Sequence, residues 1–411
     1  MIVPPFLHTA TNPKISIVLS QTENKNMKPF LLSMLFSMFL HTMHAQVKTP
    51  HRPLDDKATQ ETINLYRNLH AWQGKSVLFG HQDALAYGVN WKYEPGRSDV
   101  RDVSGAHPAL FGWELGHLEL DSARSLDEVP FDKIRSFITT AYAQGGVNTI
   151  SWHLKSPLNG KTAWDVTPGT VKSILPGGGA HAVFLTYLDR LAVFLRSLKT
   201  PQGKHIPILF RPFHEMTGSW FWWGQDLCTA DEFTQLWRFT VDYLKQKHKL
   251  HHLIYVYNTA EFTSREHFLA RYPGDDYVDV LSFDTYQYAD SKEYMEQVAS
   301  RLAILQTLAA EKGKLFAFAE TGHENIPQPD WWTTVLLPPL RQYKPSYVMV
   351  WRNAGLMKDT GKMHYYAPYS GHPSAADFVR FVNDPVIVSG HKTRAMNLYT
   401  AGDKKPTGGR P

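Results

Sequence analysis

The chain has 411 residues, 43% of them hydrophobic and 20% charged, a composition that supports one large buried core and excludes disordered and collagen-like classes. Its formal net charge is +5, but Lys and Arg are scattered rather than clustered, so no nucleic-acid footprint is indicated. The single cysteine, Cys228, rules out an intramolecular disulfide and any Cys-based metal site.

In chain order, the segment from Met27 carries Lys28, an apolar run from Phe30 to Leu40 and a small residue, Ala45, before Gln46. That is the layout of a secretory signal peptide, with a run too short for a membrane span. Translation is expected to begin at Met27. Residues 1–45 then form an N-terminal extension and signal peptide, and 46–411 a catalytic domain exported to the periplasm or the medium, with no stable membrane insertion once the signal is removed.

A helix is expected from Asp56 to Trp72, with Ile63, Tyr66 and Leu69 on one face. Eight strands are expected after it: Ser76 to Gly80, Ala109 to Trp113, Val147 to Trp152, Ile206 to Phe210, Leu253 to Tyr257, Val278 to Phe283, Leu315 to Ala319, and Tyr347 to Trp351. Helical patterns separate most of them, as at Phe131 to Tyr142, Ala182 to Leu198 and Glu293 to Leu308. Thr229 and Glu232 read as a capping box ahead of Phe233, Leu236 and Trp237. Eight alternations predict an α/β fold, a single (β/α)₈ TIM barrel with long loops on the catalytic face. The connection from Lys155 to Gly179 is much longer than typical βα loops and carries Trp164, a candidate substrate-binding residue.

Two apolar runs close on glutamates, Ile206 to Glu215 and Leu315 to Glu320. A carboxylate ending a strand that is covered on both faces needs an explanation, and in a barrel those strand ends build the catalytic face. Paired carboxylates there suit glycoside hydrolysis, one protonating the leaving oxygen and the other meeting charge at the anomeric carbon. Glu215, beside His214 and the bulk of Trp220, Phe221, Trp222 and Trp223, is placed to be desolvated and protonated, as a general acid needs. Glu320 is expected to remain ionised as nucleophile, with Arg211 and Tyr286 as candidate helpers. Glu114, Glu119 and Glu324 are rival carboxylates. The 53 aromatic side chains (12 Trp, 19 Tyr and 22 Phe) lie in part beside polar residues, where they can stack on sugar faces. His residues show no metal-ligand spacing, so neither a metal nor another cofactor is expected.

The segments FGHQDALAYG (79–88), SWH (151–153), RPFHEMTGSWFWWG (211–224), FDTYQ (283–287), FAETG (318–322) and VWRNAG (350–355) together resemble glycoside hydrolase family 26, mostly β-mannanases. The resemblance implies a retaining double displacement on a (β/α)₈ barrel, with the acid/base on strand four and the nucleophile on strand seven, positions matched by Glu215 and Glu320. It further implies that Tyr286 bonds the nucleophile and that His153, His214, Trp220, Trp351 and Arg352 contact substrate, with Asp284 a polar residue near the site. The chain departs from the family pattern at Thr217, where Asn is usual, and at Lys155 and Ser156, where an acidic or amide pair is usual.

The substrate so implied is a β-1,4-linked mannan, glucomannan or galactomannan, cut internally or at chain ends; His214 is expected to read the 2-hydroxyl, axial in mannose and equatorial in glucose. Another β-glycan, mixed-linkage glucan or xylan, would be served by the same two glutamates. A non-catalytic glycan-binding barrel is the reading from a different class.

Overall fold

The computed structural model describes residues 51–288 and 290–401; the signal-like segment from Met27 to Gln46 lies outside them. Among the described residues the eight expected strands are all present: β1 (Val77–Gln82), β2 (Leu110–Glu114), β3 (Val147–Ser151), β4 (Ile208–Arg211), β5 (Leu253–Thr259), β6 (Val280–Tyr286), β7 (Leu315–Gly322) and β8 (Tyr347–Val350). Each pairs in parallel with the next, and β8 pairs with β1, which closes the sheet into a (β/α)₈ barrel. A two-residue strand, Ile387–Val388, adds to the start of β1.

The strands are apolar on both faces because two cores enclose the sheet. Inward side chains such as Leu78, Leu110, Leu209, Val256, Ala317 and Met349 fill the barrel. Outward ones such as Phe79, Phe111, Ile150, Phe210, Phe283 and Phe318 pack in the second core beneath the helices. Helix Gln60–Trp72 adds Leu65, Tyr66 and Leu69 to the barrel core. It starts four residues later than its pattern suggested, because Thr59 is extended and its side chain accepts the Thr62 N–H as an N-cap. The other three expected helices appear as Phe131–Ala143, His181–Ser197 and Ser291–Lys312. The Thr229 and Glu232 capping box is fully formed.

Two departures from the sequence pattern place the site. Strand β4 ends at Arg211, so Glu215 does not close a strand; it sits four residues beyond, in a turn where Phe213 and Glu215 take left-handed backbone angles (φ 48° and 57°). Such angles cost roughly 1–2 kcal/mol each in non-glycine residues. The Glu215 N–H donates to the Asn258 carbonyl at 2.8 Å and its carbonyl accepts from Gly218 N–H at 2.9 Å, which holds the turn.

The second departure is a bulge. Phe283 pairs with Phe318, but Asp284 pairs with Glu320; on the other side Val348 pairs with Phe318 and Val350 with Thr321. Strand β7 therefore carries one extra residue against both neighbours. Strict alternation would turn Glu320 outward, opposite the inward Ala319. The bulge restores it to the barrel axis and sends Thr321 outward to Tyr294.

Candidate active site

The C-terminal ends of β4, β5, β6 and β7 bring together Arg211, Asn258, Asp284, Tyr286 and Glu320 beneath the turn that carries Glu215. One carboxylate oxygen each from Glu215, Asp284 and Glu320 lies within 4.8 Å of the others. Arg211, itself buried, donates one nitrogen to Glu320 Oε1 and another to Asp284 Oδ2, the latter at 3.1 Å. Tyr286 donates its hydroxyl to Glu320 Oε2 at 2.8 Å. Both helpers expected for Glu320 are thus in contact with it. A cluster of three acids needs a cation, and the guanidinium already supplies it to two of them.

One guanidinium does not neutralise three buried carboxylates, so burial and mutual repulsion oppose full ionisation of the cluster. Burial and the Glu320 charge push Glu215 up to about 7, against the opposing pull of Trp220, His153 and Arg211. Burial and Glu320 likewise raise Asp284 well above the ordinary carboxylate range, with Arg211 and the Asn258 amide acting against them. Asn258 donates to Asp284 at 2.7 Å and supplies the carbonyl that anchors Glu215. It was not singled out from sequence, although a buried amide following the apolar run of β5 is the signal that marks it.

Trp220, half exposed, lays its indole over Gly218, where an added Cβ would come within 2.3 Å of the ring. Its Nε1 donates to Glu215 Oε2 at 2.7 Å. It therefore touches the Glu215 carboxylate directly and leaves part of its ring exposed. A cleft of about 1020 Å³ opens here, lined by Glu215, Trp220, Asp284 and Tyr286, and also by Glu261 and Tyr288, which sequence reasoning had passed over.

The remaining candidates form a neighbouring group. His153, Trp164, Trp351 and Arg352 line a depression of about 370 Å³ together with Asp127 and Met357. Trp164 stacks on the His153 ring with centroids 5.2 Å apart, and Arg352 pairs with Asp127 at 2.7 Å. The long loop reaches this position through backbone bonds from Trp222 N–H to Ala163 and from Gly169 N–H to Leu227. It is not wholly irregular, since Thr170–Ile174 is helical. His214 lies behind both groups, 1% exposed, with Nε2 at 3.1 Å from His153 Nε2 and Nδ1 buried. Its Nε2 is thus turned toward His153, while Nδ1 has no hydrogen-bond partner among the described residues.

The rival carboxylates stand elsewhere. Glu114 binds His153 at 2.8 Å, Glu119 accepts from the Trp152 indole and Lys155 N–H, and Glu324 pairs with His364. None joins the acidic cluster of Glu215, Asp284 and Glu320.

Comparison with known proteins gives this arrangement its context. The mannan endo-1,4-beta-mannosidase of Bifidobacterium adolescentis is 31% identical over 350 residues, which are 80% of this chain and 34% of that protein. The chain thus spans about a third of the length of that curated relative. The mannan endo-1,4-beta-mannosidase of Bacillus subtilis strain 168 is 28% identical, covering 68% of this chain and 75% of its own. Among solved structures, a GH26 beta-mannanase from Bacteroides ovatus is 43% identical with a TM-score of 0.80, over 84% of this chain and 98% of that one. Residues 54–335 match Glycosyl hydrolase family 26. A closed barrel with paired glutamates above β4 and on β7, matched over most of its described length, belongs to glycosyl hydrolase family 26.

Proposed function

We propose that the chain hydrolyses β-1,4-mannosidic bonds of mannan, glucomannan or galactomannan with retention of configuration, using Glu320 as nucleophile and Glu215 as acid/base. The observation that carries this reading is the contrast between two neighbouring glutamates: one is held by Arg211 and Tyr286, the other is pushed up to about 7. One oxygen of each lies within 4.8 Å of the other, a close approach that supports the shorter carboxyl spacing of retaining pairs, roughly 5–5.5 Å between groups.

In this mechanism Glu320 attacks the anomeric carbon as the glycosidic bond breaks, and Glu215 gives its proton to the departing oxygen. Water, deprotonated by the now ionised Glu215, then releases the sugar from Glu320 and restores both groups. Arg211 and Tyr286 hold the attacking carboxylate, while Trp220 fixes the acid and offers a face to a sugar ring. Trp164, His153, Trp351 and Arg352 extend the binding surface along the neighbouring depression.

A reducing-sugar assay on mannan, galactomannan, lichenan and xylan tests the substrate class. Release from the two mannans is expected to dominate; release from lichenan alone would replace the mannan reading with the mixed-linkage one. Turnover of any of the four removes the non-catalytic alternative.

The proton on Glu215 also sets a pH dependence. The acid must be protonated to act, so kcat/KM is expected to fall as pH rises through about 7. The Trp220 indole bonds to the ionised form and lowers that value. Trp220→Phe is therefore expected to move the alkaline limb up by about half a unit to one unit, from the net worth of one hydrogen bond. An unmoved limb would show that the indole does not govern this proton.

A further inference from the structure

Glu114, at the end of β2, has a fully satisfied buried carboxylate. Oε1 accepts the backbone N–H groups of Gly116 (2.5 Å) and His153 (2.8 Å); Oε2 bonds the Ser151 hydroxyl and His153 Nδ1, both at 2.8 Å. Among the described residues no Lys or Arg pairs with it, and His153 is its one partner able to carry positive charge.

On its other side His153 meets His214, Nε2 to Nε2 at 3.1 Å. At that distance one nitrogen must donate and the other accept. If His153 is neutral, its proton goes to Glu114 and His214 donates from Nε2, leaving the Glu114 charge buried without a counter-charge. If His153 is an imidazolium, it donates from both nitrogens. His214 then carries its proton on Nδ1, a buried atom with no hydrogen-bond partner among the described residues. An unpaired buried N–H is the lesser defect, because a buried charge stripped of its partner is the costlier one.

We propose that Glu114 is a positioning residue for the reaction: its buried carboxylate keeps both nitrogens of His153 protonated, and that imidazolium holds His214 as the Nδ1–H tautomer at the position preceding Glu215.

The surrounding charges agree with this assignment. Burial opposes a charge on His153, but Glu114 and, to a smaller extent, Glu320 on β7 and Asp127 after β2 raise it above the ordinary imidazole value. Arg352 sits on Asp127. Burial, together with the His153 and Arg211 charges, holds His214 well below its ordinary value. Burial opposes ionisation of Glu114, but His153 and the hydrogen bonds hold it down to about 2. The consequence for chemistry is a fixed positive charge behind the acid, which limits how far Glu320 and burial raise Glu215. This last step rests on Glu215 being the acid/base.

The test is long-range proton–nitrogen NMR of the histidine side chains in the ¹⁵N-labelled full chain, from about pH 5 to about pH 8. Expected are two protonated nitrogens on His153 and a bare Nε2 on His214, persisting to higher pH than an ordinary imidazolium would. A bare Nε2 on His153, paired with a protonated Nε2 on His214, overturns the proposal and needs no activity to be seen. Glu114→Gln is expected to abolish the imidazolium signature, lower kcat/KM about a hundredfold or more, and move the alkaline limb to higher pH. A variant that only yields less folded enzyme, with the limb unmoved, overturns it as well. Absence of hydrolysis by the unmodified chain would sink the enzymatic reading while leaving the histidine spectra to decide the proton positions.

Discussion

Replacing Glu320 with Ala is expected to lower kcat on mannan by on the order of 10⁴-fold or more, the scale of losing a group that forms a covalent bond to substrate. The β7 bulge, the Tyr286 hydroxyl at 2.8 Å and the Arg211 guanidinium are all organised around this one side chain. Removal of the carboxylate also leaves buried Arg211 with Asp284 alone, so Glu320→Ala combines a chemical loss with a structural one. Glu320→Gln separates them: it retains the volume of the side chain and an oxygen that can accept, but cannot act as the nucleophile. Both variants are expected to be inactive, with Glu320→Gln the better folded by circular dichroism and thermal melting. Near-normal turnover by either would remove Glu320 from the chemistry and with it the double displacement.

Glu215→Ala is expected to lose about 10²- to 10⁴-fold in kcat on polymeric substrate, the contribution of a positioned general acid. On an aryl glycoside with a good leaving group the first step needs little proton assistance, so the glycosyl-enzyme on Glu320 should accumulate and appear as a burst. Azide, small enough for the space left by the carboxylate and needing no general base, is expected to restore turnover and yield a glycosyl azide of retained configuration. Azide without effect on a folded, slow variant would show that Glu215 is not the acid/base. An azide product of inverted configuration would show that no covalent intermediate forms. The cost to the fold should be small, because the bonds that hold the turn run from the Glu215 backbone to Asn258 and Gly218 rather than from its side chain.

Much of this was legible before folding. A strand buried on both faces must be apolar along its whole length, so all eight barrel strands stood out, each with its start within two residues of the observed one. Polar residues at the C-terminal ends of such strands had to be either satisfied in ion pairs or functional. Glu215, Asp284 and Tyr286 line one cleft, and the Glu320 carboxylate lies beside them. The rivals illustrate the limit of that reasoning. Glu114 also ends a strand, and nothing in its local sequence says that His153 will cover it.

The amino-acid sequence by itself determined the barrel, the order of its strands and the carboxylates available near the strand ends, because hydrophobic periodicity and local capping chemistry act over a few residues. Only the tertiary structure decided which carboxylates meet and in what state. Alternation along Leu315 to Glu320 points Glu320 away from the barrel axis, and a bulge defined against both neighbouring strands turns it back. The left-handed turn at Glu215 is held by a carbonyl of β5, 43 residues away in the chain. The raised acid depends on burial and on the charge of Glu320 across the cleft. Register, long-range hydrogen bonds and electrostatic coupling all join groups that are distant in sequence, and they come into being only when the sheet closes.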